Sequence, residues 1–436
     1  MVALLQIALA VGSVFVLLGL MAVVKRSANA YGLSPEVQRK LVHIGSGCYA
    51  LTLPWLFPER WPVYMLVGLT LAVMLVLRMP RFSKGGIGAT LHAVERRSYG
   101  DLLLALAVGV VFLLADGSLI LYVLPIAILT LSDAAAALTG SRYGTRFFKV
   151  EDGQKSVEGS VAFFMVTLIV AMVCLLLLSD VPRANVILLA VIVAGFGTLV
   201  EADSWRGFDN FFLPAGLMVF LDARMESDPA TLVAIMVLFC VAIWVALRAA
   251  PMLGLTRHAA RVYIIAAFLL VSVTTLPNII LPLLVFVTHA VSCRIRPCRA
   301  VYPELDGVAA MALVSFGWLA SEQITGNNAL TQYGLTAMGM SVGFAALIVA
   351  GWPAAWRWGG IAMFGAAVVW LYHALMPFNA GGWVWFTLAA AAVAALPPLM
   401  LPNQFQTART AKVSALALVL PVVASLWAMG ISKGWL

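Results

Sequence analysis

Apolar residues are grouped along this chain into blocks of about 20 positions, the length that crosses a bilayer as a helix, and short polar links separate the blocks from Val2 to Ile431. The blocks lack the apolar and polar alternation of barrel strands. Backbone in hydrocarbon must pair its own N–H and C=O groups, so the pattern predicts helices. About sixteen blocks meet the length criterion. The expected fold is all-α, a polytopic transmembrane helical bundle. The first block, Val2 to Val24, is followed by Lys25-Arg26 and preceded by no basic residue, the reverse of a secretory signal, which predicts a retained membrane anchor.

Composition narrows the class. Of 436 residues, 63% are hydrophobic and 11% charged, against about 25% charged in a soluble domain. The net charge of +8 raises the question of a nucleic-acid partner, but the basic residues follow the links between blocks. With the N-terminus placed outside, every lysine and arginine except Arg60, Arg183, Arg224 and Lys433 falls on one face. That bias predicts that these loops face the cytoplasm, so the charge reports topology, not nucleic acid; the expected location is a bacterial inner (plasma) membrane. Five cysteines, Cys48, Cys174, Cys240, Cys293 and Cys298, match no recognised metal spacing. Cys293 and Cys298 read as small buried residues or as a redox pair.

Acidic residues divide the chain. Of the 19 Asp and Glu residues, all but Glu304, Asp306 and Glu322 lie at or before Asp228, and ionisable groups at a membrane are costly unless used. Residues 1–225 are therefore expected to form a catalytic membrane domain and residues 226–436 an additional transmembrane helical domain. The stretch from Arg248 to Arg261, with Pro251, Gly254 and His258, is the expected seam.

The polar segment from Ser132 to Ser160 concentrates the candidate chemistry. Asp133 ends an apolar run and precedes four alanines that let backbones approach, and a carboxylate there needs a cation or a donor. Arg142, Arg146, Lys149 and Lys155 stand among Gly140, Gly144 and Gly153 as a cationic strip suited to a polyphosphate. Lys155-Ser156-x-Glu158-Gly159-Ser160 opens the next helix, where free N–H groups favour an anion. Together they describe a nucleotide-phosphate site beside a metal-binding acid. The plainer alternatives are helix packing through Gly140 and Gly144, topology for the cations and helix capping by Ser156 and Glu158. No P-loop string occurs.

Two further groups belong to the same face. Glu201, Asp203, Arg206, Asp209 and Asn210 form the next return. There Asp209 and Asn210 either cap a helix or, with Asp133 and Glu201, hold Mg²⁺ through a few carboxylates and substrate phosphates. Arg39-Lys40-x-x-His43 puts Arg39 and His43 at i and i+4 on one helical face. The alternative is a pair of membrane-flanking cations with a packed histidine.

At these residues the chain resembles the polyprenol kinase family: phytol kinase, dolichol kinase and the CTP-dependent diacylglycerol kinases, relatives of phosphatidate cytidylyltransferase. The resemblance rests on Arg39-Lys40-Leu-Val-His43, Ser132-Asp133-Ala-x-Ala-x-x-x-Gly140-x-x-x-Gly144, Lys155-Ser156-x-Glu158-Gly159-Ser160, Glu201 and Asp209-Asn210. It implies CTP bound around Asp133 to Ser160 and phosphoryl transfer to a lipid alcohol of the phytol, polyprenol or diacylglycerol type. In that reading Arg142, Lys149, Lys155 and the helix start from Ser156 to Ser160, with Gly140, Gly144, Glu158 and Gly159, bind the nucleotide. Asp133, Glu201, Asp209 and Asn210 position Mg²⁺, and Asp209 or Glu201 accepts the proton of an alcohol entering from the bilayer. Arg39, Lys40 and His43 complete the site. The alternatives are a cytidylyltransferase acting on a lipid phosphate, a transporter of a lipidic anion, and a separate role for the later helices around Arg294, Arg296, Arg299, Glu304 and Asp306.

Overall fold

The computed structural model describes residues 2–79, 99–150, 153–252, 255–274, 277–375 and 384–432. Arg81, Lys84, Arg96 and Arg97 of one expected basic link lie outside the described residues, as do Glu151, Asp152, Gly254 and Lys433. Among the described residues the chain forms 17 helices and one short β-hairpin. Ten of the helices are long and apolar enough to cross a membrane, and Trp61–Leu77, Gly100–Leu114 and Val384–Met400 are shorter apolar helices. The observed fold is thus the all-α polytopic bundle that the hydrophobic pattern predicts, and the protein is a multi-pass membrane protein. Two compact units divide it, Met1–Pro251 and Met252–Leu436.

In the first unit the helices are α1 (Val2–Tyr31), α2 (Pro35–Leu51), α3 (Leu53–Leu56), α4 (Trp61–Leu77), α5 (Gly100–Leu114) and α6 (Leu119–Tyr143). A hairpin of β1 (Phe147–Val150) and β2 (Gly153–Ser156) follows, then α7 (Val157–Leu178), α8 (Arg183–Ala202), α9 (Asp209–Arg224) and α10 (Pro229–Ala249). The start of α2 is set by Ser34, whose hydroxyl accepts from the Val37 N–H at 3.4 Å, and by Pro35 in its first turn.

The core helix of this unit is α6. Pro125 inside it removes one backbone donor, and Ile128–Ser132 then widens into a π turn immediately before Asp133. A π turn adds a residue to the helical repeat and re-aims the side chains that follow. By contrast α7 buries only Gly159, Phe163, Thr167, Ala171 and Leu175, one position in four, and packs this stripe on α6 and α8. Val161, Met165, Ile169, Val173 and Leu177 are exposed. A helix apolar all round with so narrow a packed stripe has lipid as its remaining solvent.

The second unit contains α11 (Arg257–Val273), α12 (Pro277–Ile295), α13 (Pro303–Thr325), α14 (Ala329–Val349), α15 (Ala354–Leu375), α16 (Val384–Met400) and α17 (Arg409–Ser432). Its core is α14, buried from Tyr333 to Leu347 and packed on by five of the other helices.

Candidate active site

The contact that organises the first unit joins α2 to α6 across 93 residues of sequence: Lys40 Nζ donates to Asp133 Oδ2 at 2.6 Å, with the two side chains only 8% and 9% exposed. His43, one turn further along α2, brings Nε2 to 3.3 Å from the same carboxylate oxygen and 3.1 Å from the Leu129 carbonyl in the π turn. Position 47 is glycine because the helices nearly touch there; a Cβ would meet Thr130 Cγ2 at 2.7 Å. One buried carboxylate therefore stands between an ammonium and an imidazole. Removing one partner of such a pair leaves an uncompensated charge, typically a loss of about 3–5 kcal/mol.

A second ion pair joins the hairpin to α8. Lys155 Nζ donates to Glu201 Oε1 at 2.8 Å and to Ser204 Oγ at 3.0 Å, and it also bonds the Glu201 carbonyl. Burial alone would lower the Lys155 pKa, but Glu201, then Asp209 and Asp133, outweigh it and hold the ammonium above the ordinary lysine value. Asp133 and Asp209 thus act on the same cation, and the two ion pairs belong to one polar region.

Around Lys155 the chain is tightly fitted. Ser156 Oγ accepts from the Gly159 N–H at 3.0 Å and caps α7, and Ser160 Oγ donates to the Ser156 carbonyl at 3.3 Å. A Cβ on Gly159 would lie 2.9 Å from the Ala136 carbonyl oxygen, and one on Gly140 would lie 2.7 Å from Ser156 Oγ. Small residues at these points let α6 and α7 interlock. The Gly144 N–H returns to the Gly140 carbonyl at 3.2 Å and closes α6. Glu158 turns to the hairpin entry, where it accepts from the Arg146 N–H at 3.2 Å and from the Thr145 hydroxyl.

Several candidate residues are not brought together. The hairpin register pairs Lys149 with Gln154 and Lys155 with Phe148. Adjacent cross-strand pairs face opposite sides of a sheet, so the two lysines point apart and the single cationic strip does not form. Lys149, Arg142 and Arg146 are exposed, and the Arg142 guanidinium lies over the Tyr143 ring at 5.6 Å. Asp133 and Glu201 are each occupied by a lysine, and among the described residues no three His, Cys, Asp or Glu side chains gather as an ion-binding set. Asp209 opens α9 with its Oδ1 buried and without a hydrogen-bond partner among the described residues. Asn210 beside it is buried.

An apolar cavity of about 160 Å³ abuts this region. Leu20, Met21, Leu66, Val67, Leu104 and Val108 supply much of its wall. Arg39 and His43 reach it from the first turns of α2, Asp101 from the start of α5 and Asn210 from the start of α9. His43 therefore touches Asp133 and also lines the cavity.

Sequence reasoning did not single out Asp101. An acid in the first turn of an apolar helix is what the helix dipole favours anyway, so nothing marked it. Its Oδ1 accepts from Arg78 Nη2, and the Arg78 guanidinium sits over the Tyr99 ring at 5.5 Å. The Tyr99 N–H donates to the Arg206 carbonyl at 3.0 Å, tying the start of α5 to the return between Glu201 and Asp209. In that return Arg206 holds a φ of +50°, a conformation that costs a non-glycine residue energy and persists only where surrounding contacts impose it.

A phytol kinase of Synechocystis sp. is 34% identical to this chain over 215 residues, which are 48% of this chain and 88% of that relative. No family model matches the chain. No solved structure matches it.

Proposed function

The chain belongs to the polyprenol and phytol kinase family, and from that premise we propose that it transfers the terminal phosphoryl group of CTP to the hydroxyl of a membrane lipid alcohol at the cytoplasmic face. The observation that carries this reading is the position of His43, shared between the ion-paired Asp133 and the head of an apolar cavity. Such a junction is where a hydroxyl on an apolar chain meets a polar transfer site. Phosphoryl transfer asks a protein mainly for positioning and for charge stabilisation. Lys155 and Lys40, held by Glu201 and Asp133 in a region withdrawn from water, supply fixed positive charge that acts far more strongly than it would in bulk solvent. The capped start of α7 and the Gly140 and Gly159 contact keep Lys155 in register with Asp133.

The donor set of the return fits Mg²⁺. Asp209 offers a buried Oδ1 without a partner among the described residues, with Asn210 next to it in the chain, and Mg²⁺ is commonly bound through one or two carboxylates with water and substrate phosphates. Bound there with the nucleotide, it would neutralise charge developing on the transferred group. CTP as the donor rests on the family resemblance.

The test uses purified full-length protein with Mg²⁺, CTP or ATP labelled at either the α or the γ position, and phytol, polyprenol and diacylglycerol as acceptors. A kinase puts γ label on the lipid and releases CDP. A cytidylyltransferase acting on a lipid phosphate puts α label on the lipid and releases pyrophosphate. If no lipid alcohol gains γ label, the kinase reading is wrong.

A further inference from the structure

We propose that Asp101 receives the hydroxyl of the lipid alcohol at the head of the apolar cavity and accepts its proton, a step that rests on the kinase reading above. Among the described residues lining the cavity Asp101 supplies the sole carboxylate; neither Glu201 nor Asp209 lines it. Its two oxygens are differentiated. Oδ1 is held by Arg78, which fixes the carboxylate plane, whereas Oδ2 is buried and finds no hydrogen-bond partner among the described residues. A lone buried acceptor is costly unless something donates to it. The complementary ligand has an apolar body and one donor at its head, which is an alcohol. Asp101 repels a carboxylate or phosphate head placed against it while Arg39 on the same wall attracts one, so the choice of an alcohol rests on the Oδ2 acceptor.

Position supports the role as well as chemistry. The Tyr99 N–H to Arg206 carbonyl bond anchors the start of α5 to the return that carries Asp209, and His43 on the same cavity wall touches Asp133. From Asp101 to Val108 the wall runs along α5 for about 10 Å at 1.5 Å per residue, so the cavity takes the part of the chain next to the hydroxyl and leaves the rest to the bilayer. In the transfer, the alcohol oxygen bonds to the terminal phosphorus as the bond from that phosphorus to its bridging oxygen breaks. The electron pair leaves with the nucleoside diphosphate, and the hydroxyl proton passes to Asp101 Oδ2. A carboxylate suffices as acceptor, because the transition state is loose and the proton moves late.

The experiment has two arms on full-length protein. In the first, a C20 isoprenoid alcohol carrying a diazirine on its chain is photolysed without nucleotide and the adducts are mapped by mass spectrometry. Label is expected on cavity residues such as Val67 and Leu104, and Ala105→Trp should reduce it at least tenfold. In the second, Asp101→Asn should keep labelling within twofold of wild type while kcat falls about 100-fold, in the usual range for loss of a proton acceptor, with the KM for nucleotide unchanged. Wild-type kcat in Asp101→Asn, or loss of labelling together with activity, overturns the role of Asp101. Protein that phosphorylates the alcohol but is labelled away from the cavity overturns the inference and leaves the kinase reading intact. Protein labelled in the cavity that transfers no phosphoryl group to any lipid alcohol overturns the kinase reading and Asp101's role as proton acceptor, and leaves the cavity as an alcohol site.

Discussion

The core helices of the two units are built from similar small and apolar residues, yet α6 carries Asp133 and a π turn, whereas α14 carries no Asp, Glu, Lys, Arg or His. Buried ionisable groups of the second unit lie on its neighbours. His289, 1% exposed, meets the Thr410 hydroxyl at 3.2 Å. Arg409 spends its guanidinium on the carbonyls of Arg296 at 2.6 Å and Phe405 at 3.2 Å and on the Cys293 thiol. Those carbonyls sit at chain segments ending helices, where unpaired acceptors need donors, so Arg409 fastens the fold. In the first unit charged side chains pair with one another, next to a cavity and to an Asp209 oxygen that has no partner among the described residues. Burial of a polar group in a membrane protein is thus a weak guide to function; where its charge is directed is a better one.

The two units differ most sharply at Asp133. Asp133→Asn should lower phosphoryl transfer at least 1000-fold and, by leaving Lys40 and His43 without their anion, destabilise the protein by about 3–5 kcal/mol; Arg409→Met should cost stability by thermal unfolding while the folded fraction keeps its kcat. Next comes Lys155→Met, with an expected loss of about 100-fold in kcat, the scale of removing one group that stabilises transition-state charge. Since Lys155 is held above the ordinary lysine value, its charge stabilises the fold fully below that range and is lost as pH rises through the raised value. The unfolding difference between wild type and Lys155→Met should therefore be flat through neutral pH and narrow only under alkaline conditions. Smaller again is the pair Gly159→Val and Gly343→Val, where a Cβ meets the Ala136 carbonyl at 2.9 Å and the Ala394 carbonyl at 3.0 Å. Each should lose about 1–3 kcal/mol to overpacking, but only Gly159→Val should also cut activity, by about tenfold, because it shifts Lys155 against Asp133. The smallest effect belongs to Lys149→Ala on the outer face of the hairpin, expected within twofold of wild-type kcat.

What was legible in the sequence follows from locality. The helical bundle was readable because spans are continuous and their requirement for internal hydrogen bonds leaves no alternative. Asp133 was readable because a carboxylate in an apolar run is anomalous by itself. Its partner was not: nothing local distinguishes Lys40, which is buried against Asp133, from Arg39, which is exposed and lines the cavity. The hairpin escaped notice because four-residue strands rich in lysine and glycine carry little periodic signal, and with it went the fact that Lys149 and Lys155 face opposite ways. At Ser156 a cap and a phosphate site need the same residue at the same helix start, so the sequence alone does not separate them, and its hydroxyl caps α7. Asp101 was hidden by its own ordinariness.

The proposed chemistry belongs to the Asp133 end of the cavity in the first unit and not to the buried polar cluster of the second. The deciding measurement is transfer of the γ-phosphoryl group of CTP to a C20 isoprenoid alcohol, followed side by side for wild type, Asp133→Asn and His289→Gln. The expected result is transfer by wild type and, within threefold, by His289→Gln, with none by Asp133→Asn. Wild-type transfer by Asp133→Asn, or its abolition in folded His289→Gln, would place the chemistry away from Asp133.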